Sequence, residues 1–508
     1  MYLYSIIISE TKKLFENIRF LWYNFTPLKI KYMTKQLIDV SRQTKIVATI
    51  GTASESLDIL TQLTKAGLNV ARMNMSHGDH AEHGAKIDNV RTVNKSLNSS
   101  VSILVDLAGP KIRIGDFDTE KVTLVEGKKI IFTTEKIVGN VNKVHINYAK
   151  LPQELKKGNI IMLNDGKNKL IVEKIVGTEI FCKILVGGEV RSRRGVNLPG
   201  AYLSVSAITD KDKKDIDFAL SKKAEFLGVS FVRTEKDILD LKKILAKKCT
   251  SDYCPKIIAK IETEEAIENF TEILEQVDGI MVARGDLAVE VPKEKVPALQ
   301  KKIIKAANEA GKFVITATQM LASMQTSPVP SRAEVSDVAN AIFDGTDAVM
   351  LSEESAVGMY PVLAVQTMRE IAEATDKAND PRHEYLNLDL SVDAIKLGSV
   401  EIAKMVEAKA IIALTETGST PFKISRFKNN IPIIALTDKK DGLLFLSLAH
   451  GVSIIESKTV HNISELRNSI KEIAKEYGIA KKGDKIVVVS GLTFGTTGSS
   501  NMLFVEQI

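Results

Sequence analysis

Two short stretches carry residue types suited to chemistry on a charged substrate: Lys260-Ile261-Glu262 and Ala283-Arg284-Gly285-Asp286, each closing an apolar run. Alternate side chains of an extended strand share a face, so Lys260 and Glu262 are expected to point into one site. Glu262 and Asp286 offer the hard oxygen donors that Mg²⁺ takes, with water and substrate oxygens filling its other positions. Gly285 lets backbone N–H groups approach an anion closely. A structural salt bridge explains a lone Lys–Glu pair equally well, but Lys, Glu, Gly and Asp gathered at adjacent run ends favour a site. Arg72, Asn74 and Ser76 alternate in the same way, Asp106 closes another run, and Arg113 follows it. Two arginines converging on one place suit phosphate and carboxylate oxygens. Thr318 ends a further run, and the last supplies Ser352 and Glu354.

The runs that would position these residues number eight: 44–51, 68–76, 102–109, 226–232, 256–263, 279–286, 313–320 and 348–355. Each begins apolar, as a strand buried on both faces should, and each ends in polar, charged or Gly residues. Helical patterns such as ESLDILTQLTKA, VPALQKKIIKAANEA and SDVANAIFD lie between most of them. Eight such units predict an α/β fold, a (β/α)8 TIM barrel, whose chemistry collects at the C-terminal ends of its strands. A doubly wound sheet would need a Gly-rich phosphate turn after its first strand, and Gly51-Thr52-Ala53-Ser54 is not one. Residues 109–203 read as an inserted all-β lid domain, with short β-branched stretches broken by Gly and Asn-Asp-Gly. The barrel is expected to take 33–108 and 204–380, and a C-terminal α/β domain 381–508.

The chain has 508 residues, of which 44% are hydrophobic and 26% charged. These values suit a globular protein with a large core. A net charge of +6 with no long basic cluster argues against nucleic-acid binding, and the absence of a long apolar run argues against a membrane span. Cys182, Cys249 and Cys254 are odd in number and form no C-x-x-C, so no disulfide is expected, which fits a reducing, cytoplasmic setting. Residues 1–32, which hold Trp22, the only tryptophan, lack the order of a signal peptide. They read as a loose extension or as sequence upstream of a start at Met33, with a targeting segment as the alternative. His77, His80 and His83 are spaced H-x-x-H-x-x-H, but residues six apart do not share one helix face, so a zinc reading is set aside.

The segments ARMNMSHG (71–78), GPKIRIG (109–115), RGVNLPG (194–200), IIAKIETEEAIEN (257–269), VARGDLAVEV (282–291), ITATQML (315–321) and TETGST (415–420), together with 331–361, resemble pyruvate kinases over nearly all of 44–508. That resemblance implies phosphoryl transfer from phosphoenolpyruvate to ADP, giving pyruvate and ATP with Mg²⁺ or Mn²⁺. It implies that Glu262 and Asp286 hold the metal, that Lys260 stabilises the moving phosphoryl group, and that Arg72 and Arg113 bind phosphate. Gly285 and Asp286 would take the substrate carboxylate, Thr318 would serve proton delivery, and Ser352 and Glu354 would line the substrate. Asn74, His77, Arg113, Arg194 and Asp165 would lie near the nucleotide; Arg194 stands where a lysine is usual, and Ala288 where Gly is usual. Family members that need K⁺ hold it with oxygens at positions matching Asn74, Ser76 and Asp106 and a following Thr. Here Leu107 removes that hydroxyl and Lys111 brings an ammonium group, so K⁺ independence of the GPKIR class is expected. Thr415, Thr417, Gly418, Ser419 and Thr420 would cradle the phosphate of a sugar-phosphate or nucleotide effector, an ordinary capped helix start being the plainer reading, and a homotetramer is implied. A Mg²⁺-dependent barrel lyase acting on pyruvate or oxaloacetate, and a non-catalytic sugar-phosphate sensor, are the rival readings.

Overall fold

The structure is a computed structural model that describes residues 40–379, 390–492 and 500–508. The expectations for residues 1–32 fall outside the described residues.

Three strands open the fold: β1 (Lys45–Thr49), β2 (Val70–Asn74) and β3 (Ser102–Asp106). An insertion follows, with β4 (Lys121–Leu124), β5 (Lys129–Thr133), β6 (Lys143–His145), β7 (Ile160–Leu163), β8 (Asn168–Val176), β9 (Glu179–Val186), β10 (Gly188–Arg191) and β11 (Val196–Asn197). Five more strands return: β12 (Phe226–Val229), β13 (Lys256–Ile261), β14 (Gly279–Ala283), β15 (Phe313–Ala317) and β16 (Ala348–Leu351). They close an eight-stranded parallel barrel in the order β1-β16-β15-β14-β13-β12-β3-β2. The expected barrel is therefore present, with one strand in each of the eight runs. Its strand residues are buried nearly throughout, because helices cover the outside and side chains fill the inside.

The strands stop earlier than the apolar runs do. β14 ends at Ala283, and Arg284–Glu290 is a helix, so Asp286 sits in a first helical turn rather than on a strand. The apolar run marks burial, and burial continues past the last ladder hydrogen bond. Helices begin on local caps: Ser331 and Glu334 form a reciprocal capping box before Arg332–Phe343, as Thr209 and Asp212 do before Asp210–Ser221.

The insertion forms a six-stranded sheet, β11-β7-β8-β9-β5-β6, and a two-stranded ribbon, β10-β4. Their alternating pattern buries one face around Phe132, Ile161 and Leu170. The C-terminal α/β domain has β17 (Ile411–Leu414), β18 (Ile433–Thr437), β19 (Val452–Glu456), β20 (Lys485–Gly491) and β21 (Ser500–Gln507), ordered β19-β18-β17-β20-β21. The first four are parallel neighbours. β21 pairs antiparallel along the edge of the sheet and was not expected, because its exposed face breaks the apolar run.

One expectation is overturned. Cys249 and Cys254 are joined by a disulfide, their Cα atoms 5.1 Å apart. Counting cysteines says nothing of the tight turn after Glu235–Ala246, in which Thr250 N–H donates to the Tyr253 carbonyl at 3.1 Å and carries residue 254 back to 249. Cys182 is a buried free thiol, pushed up to about 12 by burial, first, and by the charge of Glu173.

Gly279 opens β14 where no side chain fits: a Cβ there would lie 2.6 Å from the Cβ of Phe313 and 2.9 Å from its carbonyl oxygen. Replacing Gly279 with Ala should lower stability by about 1–3 kcal/mol, the usual cost of overpacking. A shift of the urea midpoint checks this, and an unchanged midpoint would show that the barrel floor yields freely.

Candidate active site

Four side chains that the sequence brought under suspicion meet at the C-terminal ends of β2, β3 and β13. Asp106 Oδ2 accepts from Arg72 Nε at 2.7 Å and faces Arg72 Nη2 at 2.6 Å. Arg72 Nη1 also donates to Thr49 Oγ1 at 2.8 Å, which fixes the plane of the guanidinium. Lys260 Nζ lies 2.9 Å from Glu262 Oε1 and 3.4 Å from Asp106 Oδ1, and donates to Ser230 Oγ at 2.7 Å. Phe231 N–H donates to Glu262 Oε2 at 2.8 Å. Asp106 and Glu262 are each only 1% exposed, so these charges are paired almost entirely with one another.

The pairing decides the protonation states. Burial alone would push the Asp106 carboxyl up, but Lys260 and Arg72 outweigh it and hold Asp106 below its ordinary value. Burial works against the Lys260 ammonium, yet Asp106 and Glu262 hold it above its ordinary value. Glu262 is pushed up, first by burial and then by the charge of Asp286, with Lys260 opposing.

Asp286, in the first turn of the helix that follows β14, is the second carboxylate at the rim. Among the described residues no group of three or more His, Cys, Asp or Glu is arranged to hold a metal. The donor set fits a divalent ion that takes one or two carboxylates and completes its shell with substrate oxygens and water.

Thr318 lies across from this cluster. Its φ of +70° is costly for a β-branched residue, by about 1–3 kcal/mol. Three contacts hold it there. Gly285 N–H donates to Thr318 Oγ1 at 2.7 Å, and Arg284 donates to the Thr318 carbonyl at 2.8 Å and to that of Ala317 at 3.3 Å. Arg284 is itself anchored on Asp337 at 2.7 Å. Glu354 turns inward, taking N–H groups of Ser352 at 2.7 Å and Leu321 at 3.3 Å, so its carboxylate shapes the loop after Thr318.

The other expected residues surround the rim. Asn74 Oδ1 takes the Ser76 N–H at 3.1 Å, and the exposed His77 gives its carbonyl to His83 Nε2 at 2.7 Å. His80 pairs with Asp215 at 2.7 Å and stacks on Phe218, so these imidazoles have separate partners. Arg113 donates to the Arg193 carbonyl at 3.1 Å beside the exposed Arg194, both at the root of the insertion. Asp165, with φ +54°, sits at the turn between β7 and β8. A Cβ added at the neighbouring Gly166 would lie 3.5 Å from Val289, on the helix that carries Asp286. Lys111, Asp165, Asp286 and Glu290 line one cleft between the insertion and the barrel. In the C-terminal domain, Thr415 Oγ1 accepts the Gly418 N–H at 2.9 Å and the Thr420 and Ser500 hydroxyls are 2.5 Å apart, while Thr417 and Ser419 are exposed.

Sequence reasoning gave no role to Ser230, Phe231, Arg284 and Glu290. Ser230 was visible as the polar end of an apolar run. The Phe231 role rests on a backbone N–H at φ +55°, which the residue type does not advertise.

A parallel barrel with paired lysine, arginine and carboxylates on its C-terminal rim, roofed by an inserted β domain, defines a barrel enzyme for an anionic substrate. Family models describe the matching parts as the pyruvate kinase barrel domain over residues 41–365 and the pyruvate kinase alpha/beta domain over 393–506. A Clostridium perfringens pyruvate kinase is 40% identical over 477 residues, covering 92% of this chain and 100% of the relative. A Geobacillus stearothermophilus pyruvate kinase is 43% identical over 477 residues, covering 92% and 81%. The crystal structure of a pyruvate kinase from Cryptosporidium parvum matches with TM-score 0.87 at 36% identity, covering 93% of this chain and 98% of that one. The chain belongs to the pyruvate kinase family and is a phosphotransferase of that kind.

Glu290 reports on the cleft. Burial, then the charges of Asp286 and Glu264, push it up from 4.5 to about 7, against hydrogen bonds from Asn197 and Leu198 N–H. The folded protein binds this proton more tightly than the unfolded chain, so the stability tied to Glu290 is complete below about pH 4.5 and is lost as pH rises toward 7. Glu290→Gln should therefore gain on the parent protein by about 1–2 kcal/mol between pH 5 and 8, a figure discounted for partial exposure. Melting temperatures across that range decide it; parallel curves would contradict the shift.

Proposed function

We propose that the enzyme transfers the phosphoryl group of phosphoenolpyruvate to ADP, giving ATP and pyruvate, the last step of glycolysis. The observation that carries this reading is the buried Lys260 ammonium held between Asp106 and Glu262 with Arg72 alongside. A compact, fully charged donor in a water-poor rim suits the charge that develops on a phosphoryl group in flight. Arg72 and Arg113 bind phosphate oxygens. The backbone at Gly285 and Asp286 takes the substrate carboxylate, through the Asp286 N–H, since the Gly285 N–H is held by Thr318 Oγ1. Glu262 and Asp286 hold Mg²⁺ or Mn²⁺, which when bound neutralises phosphoryl and enolate oxygens.

Thr318, held in its strained conformation, orders the water that protonates the enolate carbon. Glu354 supports it by accepting the Leu321 N–H, and Ser352 lines the substrate. Asn74, His77, Arg194 and Asp165 contact the nucleotide. The insertion, taken as residues 109–203, closes over the cleft and excludes water, which would otherwise compete as acceptor. The barrel takes 33–108 and 204–380, and residues 381–508 form a domain whose loop 415–420 binds the phosphate of a sugar-phosphate or nucleotide effector in a cytoplasmic homotetramer.

The Lys111 ammonium stands in for K⁺ beside Asn74, Ser76 and Asp106. Lys111 itself lines the cleft that holds Asp286. Pyruvate formation from phosphoenolpyruvate, ADP and Mg²⁺ is expected in potassium-free buffer, with less than about twofold gain on adding K⁺. Lys111→Glu should create a K⁺ requirement, with activity falling at least about tenfold without it. Activity only with K⁺ would keep the kinase and remove the role of Lys111. Turnover of oxaloacetate without phosphoryl transfer would instead favour a lyase.

A further inference from the structure

The N-terminal end of the barrel is closed by the C-terminal domain. Interior residues of the barrel, Val47, Leu104, Phe226 and Phe313 among them, form one buried cluster with Ile424 and Leu446 of that domain. Phe313 opens β15, and its ring lies 4.5 Å from that of Phe422 and edge-on to Phe226 at 5.8 Å. Gly279 of β14 lies close against the Cβ and carbonyl oxygen of Phe313, so the start of β15 has no room to shift toward β14. Phe422 belongs to the helix Ser419–Ser425, which leaves the loop 415–420 directly.

β15 runs from Phe313 to Ala317 and delivers Thr318 about 16 Å further on. The strand is bonded on both sides, to β14 and β16. Its second residue is also tied to the C-terminal domain: Asp347 accepts the Val314 N–H at 2.9 Å, and the same carboxylate takes Lys428 Nζ and the His450 N–H. A strand gripped along its length moves as a rod, so a tilt at Phe313 arrives as a displacement at Thr318. Misplacement of a reacting group by about 1 Å can cost on the order of 100-fold in rate.

We infer that Phe422 is a positioning residue for proton transfer at Thr318, acting through Phe313 and β15. The inference rests on the proposed role of Thr318 in protonating the enolate. Protonation turns the enolate carbon into the pyruvate methyl group. The reverse step removes a methyl proton to water, so exchange of methyl hydrogen for deuterium isolates it from phosphoryl transfer.

The test uses the full chain as wild type, Thr318→Val, Phe422→Leu and Phe422→Tyr. Exchange is followed by NMR in D2O with pyruvate, Mg²⁺ and inorganic phosphate, beside kcat and KM for ADP. Phe422→Leu should slow exchange by at least about fivefold with KM for ADP within about twofold, and Phe422→Tyr, which keeps the ring, should restore it. If Phe422→Leu does not fold, Phe422→Met takes its place. Wild-type exchange in Phe422→Leu beside slow exchange in Thr318→Val would overturn the coupling alone. Wild-type exchange in Thr318→Val would overturn the role of Thr318 and the inference with it. Equal losses of kcat and KM in both Phe422→Leu and Phe422→Tyr would reduce Phe422 to a packing residue.

Discussion

Everything at the rim depends on one arrangement: two cations, Arg72 and Lys260, buried against two anions, Asp106 and Glu262. Taking ions out of water costs several kcal/mol each, and only close pairing with further hydrogen bonds offsets it. The barrel makes that pairing possible. Parallel neighbours β2 and β3 set Asn74 level with Asp106, which brings the Arg72 side chain within reach of the Asp106 carboxylate. Ser230 and the Phe231 N–H, just beyond β12, satisfy the remaining donor and acceptor of Lys260 and Glu262. Because the charges are already desolvated and fixed, they do not reorganise when a phosphorylated anion arrives.

The rest of the molecule keeps this cluster, and its partner Thr318, in place from three directions. Arg284 and Glu354 fix the backbone around Thr318 from the rim. The C-terminal domain supports the floor through Phe422 and Lys428. The insertion is tied to the rim by Arg233, whose guanidinium holds the carbonyls of Leu203 and Val205, and by Tyr202, which donates to Glu268 at 3.0 Å. These ties join the roof to the loops that follow β12 and β13, close to the cleft lined by Lys111 and Asp286.

Much of this was legible because burial and alternation leave marks in sequence. Eight apolar runs gave eight strands, and the i, i+2 spacing of Lys260 and Glu262 gave a real contact at 2.9 Å. What was not legible was local backbone geometry and context. Asp286 looked like a strand residue because the apolar run continues into a helix. Glu354 looked available to substrate, since the type of a residue does not say that two backbone N–H groups will claim it. The Cys249–Cys254 disulfide depends on a tight turn, at a sequence separation of 5, that counting cysteines ignores.

The central claim is that the buried charges act as one unit. A double-mutant cycle on kcat with Lys260→Met, Asp106→Asn and the pair tests it most directly. If the cluster is a unit, either single change should cost at least about 1000-fold and the pair little more than the worse single, an interaction energy of about 4 kcal/mol. Losses that multiply, each change acting as though the other were absent, would contradict the account and leave Lys260 and Asp106 as independent contributors.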